Sequence, residues 1–241
     1  MPWDLRARGP SSRNHEGQLC RARRNSPEKN SCWARGWASS PWPRDARGQS
    51  VSRTTAGDQA LVIELKFGPS EAELVNNGHT SELHSVAPQV MLLNGRPWTF
   101  RQLHFHAPSE HTMDGKRFEA EFHVVHQSDD GRLAVLGVLA VEGRDNADWA
   151  AFVDAAAAPS VGSTAPAGVV DLGALIPGSL DHFAYSGSLT TPPCSENVQW
   201  LVLEAPIELG QAQLDALTAV HDGNDRPIQA SNGRTVSVVD Q

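Results

Sequence analysis

From about residue 60 onward, apolar and polar side chains alternate in short runs, a period that predicts β-strands with one buried face. The dipeptides Asn94-Gly95, Asp114-Gly115 and Asp130-Gly131 favour hairpin turns, because Asn, Asp and Gly tolerate a positive φ. Residues 145–158 and 210–221 have helical character instead. Few helices and closely spaced strands predict a single, mostly antiparallel domain. The predicted strands are residues 61–67, 72–75, 89–93, 98–106, 117–126 and 133–141.

The first 53 residues differ from the rest in charge and apolar content. They hold 11 of the 20 Lys and Arg residues and four acids, a net charge of +7, which leaves −15 for the other residues. Only four of them are Val, Ile, Leu, Met or Phe, too little apolar area to offset about 1–2 kcal/mol of backbone entropy per ordered residue. The segment is either a basic arm for an anionic partner or a poorly ordered or wrongly translated leader. Its lack of periodicity favours the leader.

The overall composition excludes several classes of protein. No run of about 18 apolar residues is present, so no membrane span is expected, and no apolar stretch typical of a secretory signal follows the basic residues. The formal charge of −8 argues against a nucleic-acid-binding protein. Three cysteines are too few for a disulfide scaffold, and no CxxC pair indicates a zinc ribbon. Five of the ten histidines lie between His104 and His126, where we expect the chemistry.

A strand carrying His104 and His106 points both imidazoles to one face of the sheet. If Asp114-Gly115 is a two-residue turn, the following strand sets His123 directly opposite His106 and brings three imidazoles together. Three neutral ring nitrogens suit a catalytic zinc ion with a fourth position left to water. The pattern therefore predicts a zinc site.

The other polar residues near this cluster are interpreted structurally. Gln102 and Glu121 stand beside the strand histidines and offer acceptors for their second ring nitrogens. His111 follows Glu110 and is expected to make a structural hydrogen bond, and His79 reads as a turn residue on composition alone. The remaining histidines are expected at the surface or in structural hydrogen bonds: His84, His126, His182 and His221.

Five segments, in the right order, resemble the α-class carbonic anhydrases over about residues 60–241. They are residues 76–80 (NNGHT), 102–111 (QLHFHAPSEH), 121–126 (EFHVVH), 185–196 (YSGSLTTPPCSE, with Val198 and Trp200) and 224–229 (NDRPIQ). The resemblance implies an α+β fold, mostly β with peripheral helices, on a twisted and mainly antiparallel sheet of about ten strands. It assigns a catalytic domain to residues 54–241.

The resemblance also implies the reaction, which is the reversible hydration of carbon dioxide to bicarbonate and a proton by a zinc hydroxide. His104, His106 and His123 match the zinc ligands. Thr190 matches the residue that orients the hydroxide and donates its own hydrogen to Glu110. His79 matches the proton shuttle.

Further matches concern the substrate and the ligands' partners. An apolar wall for carbon dioxide is implied at Val125, Val135, Leu189 and Trp200, with Thr191 at the rim. Gln102, Glu121 and Asn224 match residues that hydrogen-bond the zinc ligands.

The N-terminal part departs from the family. The usual aromatic segment is missing, and Tyr185 is the only tyrosine. In exported members, cysteines near the positions of Cys20 and Cys194 form a disulfide, with Cys32 here as a competitor. The resemblance thus implies a periplasmic or secreted protein, either a monomer or a dimer.

Two alternatives belong to other classes. The spacing of His104, His106, Glu110 and Gly115 approaches the first motif of a cupin, in which Glu110 binds the metal directly, but the second cupin motif is not found. The other alternative is a non-catalytic binding module on the carbonic anhydrase fold. Such proteins lose a ligand histidine, and none is lost here.

Overall fold

The computed structural model describes residues 52–53, 61–230 and 233–241. Of the predicted segment 1–53, only Ser52 and Arg53 fall within this range, so the proposed boundary between the two segments lies outside the described residues. The elements are β1 (Ser52–Arg53), β2 (Ile63–Lys66), β3 (Pro69–Asn76), β4 (Ser81–Ser85), β5 (Val90–Leu93), β6 (Arg96–His106), β7 (Thr112–Met113), β8 (Lys116–Arg117), β9 (Ala120–Gln127), β10 (Leu133–Glu142), α1 (Ala147–Ala156), β11 (Thr164–Asp171), β12 (His182–Ser188), β13 (Glu196–Leu203), β14 (Ile207–Leu209), α2 (Gln211–Val220) and β15 (Ser237–Val239).

Thirteen strands of the described residues form one mainly antiparallel, twisted sheet. Its main path runs β1-β15-β12-β13-β10-β9-β6-β4-β3-β11, with β14 paired to β10 and the β2–β5 pair attached to β6. The pairs β1–β15, β10–β13 and β10–β14 are parallel. The predicted fold class is confirmed, and the sheet is larger than the resemblance implied.

The central strands are buried on both faces, which explains the nearly continuous apolar sequence of β10 and leaves the polar residues of β9 buried as well. In β9 every residue but the last is buried, whereas β3, next to the edge strand β11, alternates between buried and more exposed positions. Phe122 faces helix α1, and its ring lies 4.0 Å from that of Trp149. His123, the next residue, faces the opposite side, where Trp200 lies. The sheet thus separates a helix-covered core from the face that carries the histidines.

The two helices are shorter than predicted and cap themselves with nearby polar side chains. Helix α1 begins after Asn146, whose side chain accepts from the Asp148 amide at 3.2 Å. Gln213 of α2 joins the two helices, because it accepts from the Asn146 amide at 2.8 Å and donates to the Asn146 carbonyl at 2.8 Å. Neither helix of the described part is long and apolar enough to cross a bilayer.

One sequence prediction about register is wrong. The turn Asp114-Gly115 does form with positive φ at both residues, but it joins the small β7–β8 hairpin in a separate two-stranded sheet. Between β6 and β9, His104 rather than His106 lies opposite His123, and His106 lies opposite Glu121. The irregular segments on either side of that hairpin shift the pairing by two residues. Because side chains alternate with a period of two, this shift keeps all three imidazoles on one face.

Candidate metal centre

Three buried imidazoles meet on the face of the central strands that points away from helix α1. β6 places His104 and His106 there, and β9 places His123. One ring nitrogen from each lies within 4.8 Å of the others. The exposed fractions are 8%, 1% and 1%, so the cluster is almost free of contact with solvent.

Each imidazole is held through one nitrogen, and the acceptor fixes which nitrogen carries the hydrogen. His104 Nδ1 donates to Gln102 Oε1 at 2.8 Å, and His123 Nε2 donates to Glu121 Oε1 at 2.9 Å. His106 Nδ1 donates to the backbone carbonyl of Asn224 at 3.0 Å. The second nitrogen of each neutral ring therefore carries a lone pair.

The three lone pairs converge without a hydrogen to share. His104 Nε2 and His123 Nδ1 lie 3.3 Å apart, and His106 Nε2 is buried with no hydrogen-bond partner among the described residues. Facing lone pairs repel one another in a buried site unless a cation lies between them. The donor set of three neutral imidazole nitrogens fits a zinc ion.

The surroundings of His104 and His106 favour the neutral form of both rings. Burial, together with the neighbouring rings of His123 and His106, holds the pKa of His104 well below its ordinary value. Burial also lowers the pKa of His106, against the opposing effect of Glu110. Neutral imidazole is the form that binds a metal ion, so the site is ready for one at neutral pH.

Glu121 is the centre of a buried hydrogen-bond network behind the imidazoles. Its Oε2 accepts from the backbone amides of Glu110 and His111, at 2.9 and 2.8 Å. Its Oε1 accepts from His111 Nδ1 at 2.5 Å as well as from His123. Although burial alone would raise the pKa of the Glu121 carboxyl, His111 and His123 hold it well below its usual range. Glu121 is therefore a carboxylate that orients His123.

The network extends to Tyr185, which sequence reasoning left without a role. With His111 Nδ1 donating to Glu121, the neutral ring accepts at Nε2 from the Tyr185 hydroxyl at 2.6 Å. His111, Glu121 and His123 also meet the geometry of a metal site, but hydrogen bonds already use both nitrogens of His111. The structural hydrogen bond expected for His111 is present. No pattern in the sequence indicates that Tyr185 contacts His111, which lies 74 positions away along the chain.

Glu110 and Thr190 lie near the cluster, and no hydrogen bond of the described residues joins them. Glu110 is 1% exposed, and its Oε1 accepts from the Arg226 amide at 2.7 Å. Its Oε2 is buried, lies 3.9 Å from His123 Nε2 and has no hydrogen-bond partner within the described residues. Thr190 lines the same cleft as His106. Glu110 thus has one oxygen fixed and one oxygen left to accept a hydrogen.

A cleft of about 500 Å³ leads from His106 to the surface. Exposed His79 lines its wall, as do Thr190 and Thr191. The His79 amide donates to Asn77 Oδ1 at 2.8 Å, as expected of a turn residue. The Asn224 side chain donates to the His79 carbonyl at 3.1 Å and ties this turn to the histidine cluster.

The proposed apolar wall forms a row across three neighbouring strands. Val125 lies opposite Val135, and Val135 lies opposite Trp200. All three are buried in one apolar cluster, against which Leu189 packs. The Trp200 ring lies 4.8 Å from that of His123, which places this row beside the imidazoles.

Within the described residues, Cys194 forms no disulfide. The two cysteines proposed as its partners, Cys20 and Cys32, lie outside the described residues. The expected disulfide therefore stays a prediction.

Comparisons with known proteins agree with this geometry. Residues 49–240 match the profile of the eukaryotic-type carbonic anhydrase family. A carbonic anhydrase of Pectobacterium carotovorum is 38% identical over 175 residues, which are 72% of each protein. One of Klebsiella pneumoniae is 40% identical over 170 residues, or 68% of each. The solved α-carbonic anhydrase of Photobacterium profundum is similar with a TM-score of 0.71 at 35% identity, covering 77% of this chain and 84% of that one.

Proposed function

The chain is an enzyme of the α-carbonic anhydrase family, and we propose that it uses a zinc ion held by His104, His106 and His123 to hydrate carbon dioxide reversibly to bicarbonate and a proton. One observation carries the proposal. Each of the three buried imidazoles has one nitrogen hydrogen-bonded and the other left with a lone pair directed at the same small space. When bound, zinc supplies a Lewis-acid charge that makes hydroxide available as a nucleophile at neutral pH.

Thr190 and Glu110 are assigned to orient the nucleophile. The Arg226 amide fixes Glu110 Oε1, and the free Oε2 is available to accept the hydroxyl hydrogen of Thr190. A Thr190 oxygen whose hydrogen is committed in this way is left as an acceptor. With zinc bound, this oxygen would accept a hydrogen from the nucleophile and so hold the nucleophile's lone pair toward the carbon of the substrate.

The apolar row beside the imidazoles is assigned to the substrate. Carbon dioxide has no net dipole and gains from contact with apolar surface rather than from hydrogen bonds. Val125, Val135 and Trp200 are assigned to supply that surface next to His123, with Leu189 packed against them and Thr191 at the rim of the cleft. This arrangement would bring carbon dioxide close to the nucleophile through weak apolar contacts, without binding it tightly.

His79 is assigned to export the proton that each hydration releases. It is exposed and lies on the cleft wall that also includes His106, and an imidazole can both accept and release a proton. His79→Ala should slow turnover in dilute buffer, and added imidazole should restore part of the rate. Unchanged turnover in dilute buffer would leave His79 as a turn residue only.

The alternatives make different predictions. The cupin interpretation is wrong, because the chain belongs to another family and Glu110 is not among the groups of described residues that meet metal-site geometry. If this chain were a binding module despite its three histidines, the purified protein would show no hydration of carbon dioxide, with or without zinc. We also propose a periplasmic or secreted location, which cell fractionation with an antibody against the chain tests.

The test of the function is stopped-flow hydration of carbon dioxide with zinc quantified in the same preparation. The native protein should carry about one zinc and be active. His106→Ala should lose both, because the open Nε2 disappears, whereas His84→Ala should keep both. His84 is a matched control, since its partner is Glu82 and it takes no part in the cluster. Full zinc and an undiminished rate in His106→Ala would refute the ligand assignment.

A further inference from the structure

His221 was expected to be a surface or structural histidine, and the structure places it in the active cleft. It lies at the C-terminal end of α2, where its amide donates to the Leu217 carbonyl at 3.1 Å. Its ring is half-buried and lies 5.8 Å from the ring of Phe105. The cleft that it lines also contains His106 and His79.

A hydrogen bond to Ser81 determines which nitrogen of His221 is open. Buried Ser81 has a single hydroxyl hydrogen, and its Oγ donates that hydrogen to the Ala156 carbonyl at 3.1 Å. The 3.2 Å contact between Ser81 Oγ and His221 Nε2 is then a bond in which the ring donates. The neutral ring carries its hydrogen on Nε2 and a lone pair on Nδ1.

This bond is the same in both protonation states of the ring. When Nδ1 takes up a proton, Nε2 still donates to Ser81, so no rearrangement is needed for His221 to gain or lose a charge. His79 differs, because no hydrogen bond of the described residues holds its ring. The cleft therefore contains one fixed imidazole and one that is not fixed.

The two imidazoles also interact electrostatically. Burial is the main cause that lowers the pKa of His221, and the charge of His79 lowers it further. Other charged residues of the cleft wall are Asp222, Asp225 and Arg226. Arg117 forms an ion pair with Asp225.

We propose that His221 is a second proton carrier of this cleft, which accepts at Nδ1 a proton leaving the metal site and passes it to His79 or to a base in bulk water. The inference rests on the proposed function. The step is balanced, because the Nδ1 lone pair forms the new N–H bond and the same bond breaks when the proton leaves. Neither residue is consumed, and the neutral tautomer is restored.

Kinetics in dilute buffer test the role. His221→Gln retains a donor for Ser81 but does not titrate, so it separates proton transfer from packing. We expect His221→Gln to slow turnover and the double variant with His79→Ala to fall below either single one, by a further factor on the order of tenfold. Added imidazole should restore part of the turnover of His221→Gln and of the double variant, and concentrated buffer should remove the difference in turnover between the variants and the native protein. His84→Gln is the control, since it removes an imidazole outside the cleft.

A second measurement does not depend on activity. Nuclear magnetic resonance of ¹⁵N-labelled histidine should show neutral His221 with its hydrogen on Nε2. Its pKa should rise in His79→Ala, because the repelling charge is gone. A hydrogen on Nδ1, or a double variant no slower than His79→Ala alone in dilute buffer, would overturn the proposal. If the native protein does not hydrate carbon dioxide, the proposed function fails, and the resonance data still decide the tautomer and the coupling.

Discussion

Replacing Glu121 by Gln should damage both the stability of the protein and its zinc affinity, although the two side chains have nearly the same shape. The carboxylate accepts four hydrogen bonds, from His123, from the His111 ring and from the amides of Glu110 and His111. A Gln side chain has one acceptor oxygen, and its amide nitrogen only donates. Two of the four donors then lose their partner in a fully buried site.

The expected cost follows from that count. An unsatisfied buried donor costs about 1–3 kcal/mol, so Glu121→Gln should lower the free energy of unfolding of the zinc-free protein by about 2–6 kcal/mol. If the amide nitrogen turns toward His123, the ring must place its hydrogen on Nδ1, the nitrogen that faces the other two histidines. Loss of such a partner reduces zinc affinity by about 10–100-fold.

Urea unfolding in the presence of a chelator measures the stability, and competition with a chromophoric chelator measures the zinc affinity. Glu71→Gln is the control, because it makes the same chemical change at an exposed position of β3. Equal stability and equal zinc affinity in Glu121→Gln and the native protein would refute the description of this network. The pH dependence gives a further check. The pKa of Glu121 is depressed in the fold, so its stabilisation is present above the ordinary carboxyl pKa and is lost as the pH falls toward the folded value.

Three other predictions concern residues around this site. His126 is fully buried, and burial lowers its pKa to about 3. In the unfolded chain, His126 binds a proton as the pH falls below about 6.5, whereas in the folded protein it stays neutral down to about pH 3, so stability is lost between these two values. His126→Leu should flatten that loss, measured by urea unfolding. An equally steep loss in the variant would contradict this. Gly137→Ala should weaken zinc binding less than Glu121→Gln does, because its Cβ would lie 3.3 Å from Glu121 Oε1, while Gly178→Ala, with open space around it, should have no effect in the same competition assay. A Gly137→Ala affinity equal to that of the native protein would show that the carboxylate has room to move. Brief proteolysis should yield a fragment that begins at about residue 55 and retains zinc, since residues 1–53 carry a charge of +7 and little apolar surface. A protease-resistant segment 1–53 whose deletion unfolds the remainder would contradict that interpretation.

Local patterns predicted which face of the sheet carries the histidines, but not how the strands pair. The period of two placed His104 and His106 on the same side, and that is where they lie. The turn at Asp114-Gly115 was predicted correctly, but it joins β7 to β8 rather than β6 to β9. Turn chemistry acts over four residues, whereas pairing depends on the irregular segments beside the hairpin. The three histidines still share one face of the sheet, because the strand pairing differs from the predicted one by an even number of residues.

Contacts between distant residues were the part that the sequence could not supply. Asn224 was predicted to hydrogen-bond a zinc ligand, and the sequence did not indicate which of its atoms does so. Its backbone carbonyl accepts from His106, while its side chain accepts from the Ala107 amide and donates to the Phe105 carbonyl. Tyr185 and His221 lie near the site only because the fold brings distant segments of the chain together. Residue type predicts which chemistry is possible, and it does not specify which atom a distant loop presents.

The location of zinc in crystals of the native protein tests the central claim most directly. Anomalous diffraction recorded on both sides of the zinc absorption edge identifies the metal and its position. We predict one peak about 2.0–2.1 Å from His104 Nε2, His106 Nε2 and His123 Nδ1. A peak bound instead by His111 and Glu121, or zinc-loaded crystals with no peak between the three imidazoles, would contradict the account.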